Sequence, residues 1–126
     1  MSRPDPLAVM RLLRRAELEA ARQQAAEVLD RRRQAEQAVT ATMLAVAEEK
    51  RSAEPAAYAG WVSAPRAELA LLASRLSAAE ASVTLAQNKV VAAKLSEQLV
   101  MDAQQRQRQA MRRKRLAKEQ KLLDDL

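Results

Sequence analysis

The chain has neither cysteine nor histidine. Their absence removes the commonest zinc ligands, the thiol nucleophile, the usual general base at neutral pH and any disulfide framework. Phenylalanine is missing too, so Tyr58 and Trp61 are the only aromatic residues among 126, and Gly60 is the only glycine. With so few bulky side chains a globular interior cannot be filled, although 48% of the residues are apolar. Much of that fraction is alanine, the best helix former but a poor source of buried surface, which favours long helices in narrow contact over a thick core. Long hydrophobic runs are scarce as well. The start, MSRPDPLAVMRLLRR, offers only Leu7 to Met10 before Arg11 intervenes, too short for a signal-peptide core. No stretch is expected to approach the roughly 20 apolar residues of a membrane span. A cytoplasmic protein without cofactors and without membrane insertion is the expectation.

No constellation points to an enzyme. The carboxylate pairs Glu48 and Glu49, and Asp124 and Asp125, are adjacent in sequence, so on a helix they diverge, whereas acid and base groups must converge across a cleft. They read as solvated helix faces.

What is present is periodicity. The glycine, both aromatics and two of the four prolines fall between Pro55 and Pro65, and helical patterning fills both sides. In the first arm Leu7, Met10, Leu18, Ala21, Ala25, Val28, Ala35, Val39, Met43 and Val46 recur at steps of three and four, with Arg14 and Arg32 at two further seam positions. In the second arm the steps alternate without a slip through Leu69, Leu72, Leu76, Ala79, Val83, Ala86, Val90, Ala93, Glu97 and Val100. Spacing of this kind winds two helices around each other with a left-handed twist. The predicted fold is all-α, a single two-helix antiparallel coiled-coil hairpin with an extended C-terminal helix. Helix 1 is predicted at about 7–52, a tip at 53–65 and helix 2 at about 66–124, with Pro4 and Pro6 ahead of the first helix. Pro65 is expected in the first turn of the second helix, with Ser63 available as its cap.

A reversal near Ala59 and Gly60 pairs residues whose numbers add to roughly 118, which sets Val46 opposite Leu72 and Leu7 opposite Met111. The segment 112–126 is then predicted to lack a partner in helix 1 and to be marginal as a lone helix in water.

Charge gathers at the open end of this hairpin. The net charge is +6, and between Ala103 and Lys121 the chain carries Arg106, Arg108, Arg112, Arg113, Lys114, Arg115, Lys118 and Lys121 against the single acid Glu119. Arg11, Arg14 and Arg15 come to the same end, partly offset by Glu17 and Glu19. Two readings of this basic collar stand. It complements the helix dipole and keeps the chain soluble, or it meets an acidic protein lumen, nucleic acid or anionic lipid. No aromatic residue lies among these cations to stack on bases, so nucleic acid is not the expected partner. The tip also has two readings that are not exclusive. Tyr58 and Trp61 plug the end of the coil, or, with Val62 and Leu69 beside them, they form a binding hot spot.

The layout resembles a known family. A basic amphipathic start (VMRLLRRAELEAARQQ), a proline-aromatic tip (EPAAYAGWVSAP), an arginine followed by leucines (RAELALLASRL) and a basic, glutamine-rich second arm with an acidic close (RRKRLAKEQKLLDDL) are similar to the FliJ stalk family of flagellar export, to which the injectisome protein YscO is related. The segments DPLAVMRLLRR and KEQKLLDDL are the most telling. The resemblance implies a coiled coil like the central stalk of a rotary ATPase, with its open end in the pore of a hexameric export ATPase and its tip side toward the cytoplasmic domain of an export-gate membrane protein. Carried over by position, Arg112, Arg113, Arg115 and Lys118, with Arg11, Arg14 and Arg15, are the expected ATPase-binding residues. Tyr58, Trp61, Leu69 and Leu72 are the expected gate-binding residues. The chain departs from the family in its few aromatics around the tip and its abundance of alanine. Export chaperones are further candidate partners, and the implied location is cytoplasmic, peripheral at the membrane export apparatus. The alternatives are a generic coiled-coil adaptor or export chaperone, or a basic hairpin that binds nucleic acid.

Overall fold

A computed structural model describes every residue except Met1, Ser2, Pro4 and Ala53, and every described side chain except that of Tyr58. The protein is an all-α helical hairpin, with 95% of the described residues helical and no strand among them. Its elements are α1 (Pro6–Ser52), α2 (Pro55–Trp61) and α3 (Ser63–Asp124), and α1 packs against α3.

Local chemistry explains each helix start. Asp5 caps α1: its side-chain Oδ1 accepts the Leu7 N–H at 3.1 Å, and its carbonyl accepts the Val9 N–H at 3.1 Å, the first bond of the helix. Pro6 therefore occupies the first helical position rather than preceding the helix as predicted. There its missing N–H costs nothing and its fixed φ suits the turn. Pro55 plays the same part in α2. Within the predicted tip, Pro55–Trp61 is helical, and α3 begins at Ser63, not Arg66. The Val62 carbonyl accepts the Arg66 N–H at 3.1 Å, so Val62 holds the cap position and Ser63 is already inside the helix. Pro65 remains in the first turn, where backbone N–H groups lack helical partners anyway.

Gly60 lies within α2, and no positive φ occurs among the described residues. A Cβ built there meets nothing within 4 Å. Gly60→Ala is therefore expected to raise stability by about 0.5–1 kcal/mol, the difference between the two residues in helix propensity. Chemical denaturation checks this, and a loss of stability would mean that the glycine turns the chain.

Packing divides into two compact units, Met1–Ala21 with Val90–Leu126, and Arg22–Lys89. In the second unit Val28, Val83 and Ala86 are buried, with Ala25 packed against them. In the first, Leu18 is the most enclosed residue at 2% exposure, and Val100 and Gln104 are also buried. All ten seam residues predicted in α3 are shielded, Glu97 included. In α1 the exceptions are Met10 and Met43, at 40% and 57% exposure. After Val39 the shielded face steps by three to Thr42 instead of by four to Met43, which rotates Met43 about 100° off the contact.

The register differs from the predicted one. Val28 clusters with Val83 and Ala86 where a partner near position 90 was predicted, Arg11 reaches Gln104, and Arg15 reaches Glu97. Each pairing falls three to seven residues short on α3. The cause is the helical tip. With Ala59 and Gly60 absorbed into α2, the reversal centres between Ser52 and Ser63, nearer the start of the chain than predicted. Two consequences follow: Met111 lies beyond the shielded seam at 61% exposure, and the unshielded segment begins at Gln105 rather than at position 112.

α3 contains an 18-residue stretch of mean hydropathy 1.3 with at most two charged residues, long and apolar enough to cross a membrane by length and composition, and 11% of it is buried. The periodic leucines supply the apolar seam, and the alanines between them raise the hydropathy of the remaining faces.

Candidate partner-binding surfaces

From Gln105 to Leu126 every residue is exposed, yet the chain stays helical through Asp124. Glutamine, arginine, lysine, leucine and alanine dominate the segment, and all are strong helix formers. Its charges act the other way. Arg108 and Arg112, and Lys114 and Lys118, stand four residues apart, while Arg112 and Arg115, and Lys118 and Lys121, stand three apart. Like charges at these spacings share a face, and each pair costs about 0.2–0.5 kcal/mol. Among the described residues no ion pair or side-chain hydrogen bond engages Arg112, Arg113, Arg115 or Lys118. Met111, Lys114, Arg115 and Lys118 line one shallow groove along this helix. An anionic partner lying against it removes the repulsion and supplies the missing counter-charges.

The three α1 arginines of the predicted collar are placed differently. Arg14 pairs with Glu17 at 3.0 Å, Arg15 with Glu19 at 3.4 Å and with Glu97 of α3 at 3.5 Å, and Arg11 donates to the Gln104 side chain at 3.2 Å. These guanidiniums are already committed within the chain. Arg11, Arg15, Glu97 and Gln104 also line an open groove with Ala8 and Leu12. Glu97 was legible only as a polar interruption of the seam, and Gln104 lay one step beyond the counted pattern. The structure gives both a role as polar contacts across the hairpin. Arg32, the other polar seam residue, has a shielded Nε that lies 3.4 Å from Glu36 Oε1, close enough for charge attraction but without hydrogen-bond geometry.

At the tip Trp61 is 38% exposed and has a partner within the chain. The Tyr58 side chain lies outside the described residues, so its predicted part in gate binding has no structural counterpart here. Leu69 and Leu72 are half-buried on the seam. Contact by either with another protein therefore competes with packing against α1. Among the described residues no group of three or more acidic residues is placed to hold a metal ion. Comparison with known proteins adds nothing to these surfaces: no family model, curated protein or solved structure matches the chain.

Proposed function

We propose that the protein is a non-catalytic stalk of a type III protein export ATPase, which promotes assembly of the hexameric ring and couples nucleotide turnover to the export gate. The observation that supports this reading is the helical segment Gln105–Leu126, exposed throughout and dense in cations, with Glu119, Asp124 and Asp125 as its only acids. An exposed basic helix of this kind suits an acidic lumen. The family resemblance of the sequence supplies the identity of the ring. In this reading Arg112, Arg113, Arg115 and Lys118 make the main ATPase contacts. Arg11, Arg14 and Arg15 contribute to the surrounding field, while Trp61 and the residues near it face the cytoplasmic domain of the gate. The protein works in the cytoplasm, peripherally at the export apparatus.

Adding the purified chain to a purified export ATPase tests the proposal. Turnover and the hexamer fraction, read by sedimentation, are expected to rise together and to fall back as salt is raised, because exposed charges are screened over ~8 Å at physiological ionic strength. Unchanged turnover and an unchanged hexamer fraction would count against the stalk. A steeply salt-dependent DNA shift in their place would favour the nucleic-acid alternative.

A further inference from the structure

The geometry points to a second copy of this chain as the occupant of the outer face of α3 between Glu68 and Lys89. This inference is independent of the stalk reading. The stretch of α3 with mean hydropathy 1.3 is 11% buried, which leaves apolar surface open beyond the seam, and a contiguous exposed apolar patch marks an interaction site. Its seam face lies against α1. The opposite face carries Leu71, Ser74, Ala78, Ala81 and Leu85, again at alternating steps of three and four, and all five are exposed. Leu71 is 52% and Leu85 63% exposed.

The face is complementary to itself. If two copies lie antiparallel about a two-fold axis at Ala78, Leu71 of each meets Leu85 of the other and the small Ala78 side chains let the helices approach closely. The same alignment sets Glu68 beside Lys89, twice by symmetry, on the flank of the stripe. Neither residue has an ion-pair partner among the described residues. A two-fold contact requires one patch to match itself in this way. The area is on the order of 500 Å² per copy, about 1,000 Å² for the pair, at the lower edge of specific interfaces, so the dimer should be weak and concentration-dependent.

Sedimentation equilibrium of the full chain over micromolar to several-hundred-micromolar concentrations should show a reversible monomer–dimer equilibrium. Leu85→Glu should abolish the dimer with helicity retained by circular dichroism. Glu68→Lys and Lys89→Glu should each weaken it about tenfold, because each turns two attractive pairs into repulsive ones. The double exchange Glu68→Lys with Lys89→Glu should restore wild-type association. Because the chain has no cysteine, Leu71→Cys and Leu85→Cys chains can be mixed and oxidised, and the mixed disulfide should dominate. A chain that stays monomeric throughout, a double exchange no better than either single one, or dominant Leu71→Cys self-pairing would each overturn the proposal. So would a monomer that partitions into neutral lipid vesicles, since lipid would then be what covers the face.

Discussion

Reversal of Arg112, Arg113 and Arg115 to glutamate is expected to abolish stimulation of an export ATPase, a loss of at least tenfold, with helicity and melting temperature nearly unchanged. The three side chains are exposed and make no ion pair among the described residues, so the hairpin loses no contact with them. Each reversal changes the charge by two, so together they take the net charge from +6 to zero. They also place glutamates where an acidic lumen needs cations. Like-charge contacts across an interface cost several kcal/mol and slow encounter as well. The matched control is Arg31→Glu, Arg33→Glu and Lys50→Glu, three exposed cations of α1 whose reversal changes the net charge equally. That variant should stimulate nearly as well as wild type. If both triple variants fail alike, net charge matters and the C-terminal segment has no special role. If neither fails, the basic run is only a solvated helix end.

Leu18→Ala is expected to be the most destabilising single truncation, by about 2–4 kcal/mol, with Leu12→Ala within about 0.5 kcal/mol of wild type. Both are leucines on the same helix, six residues apart, and burial separates them: Leu18 is 2% exposed and Leu12 73%. The hairpin has few comparable anchors. Val28, Val83, Ala86 and Val100, with Pro65 near the tip, complete the buried apolar set among the described residues, and one of these is an alanine. A narrow interface of this kind spreads its stability over few side chains, so losing one large anchor takes a sizeable share. Equilibrium denaturation of the two variants side by side checks the contrast. Equal effects would mean that Leu18 does not sit on the helix contact.

The seam was legible because heptad spacing is a direct record of which face is covered. In α3 every position it marked from Leu69 to Val100 is shielded, with Ser96 shielded although unmarked, and in α1 the marked positions that stay exposed are Met10 and Met43. Register was not legible to the same degree. It depends on how many residues the tip consumes, and Pro55 and Gly60 read as turn residues although α2 accommodates both as helix. Proline at a helix start and glycine without a positive φ break nothing, so composition overstated the loop. The Asp5 cap is a short-range signal, an acceptor directly before Pro6, that the apolar count passed over. The basic segment was conspicuous by composition alone. That Arg11, Arg14 and Arg15 are engaged by Gln104, Glu17, Glu19 and Glu97 required the fold, because two of those partners lie on the other helix.

Entry of the C-terminal segment into the ring is the central claim, and site-specific photo-crosslinking tests it most directly. A photoreactive side chain at Lys118, in the full-length protein mixed with assembled export ATPase, is expected to label peptides that line the inner surface of the ring. The same group at Thr40, exposed on α1, is expected to label few or none of them. Labelling from Lys118 confined to the outer surface, or absent from a ring that the protein demonstrably binds, would contradict the stalk.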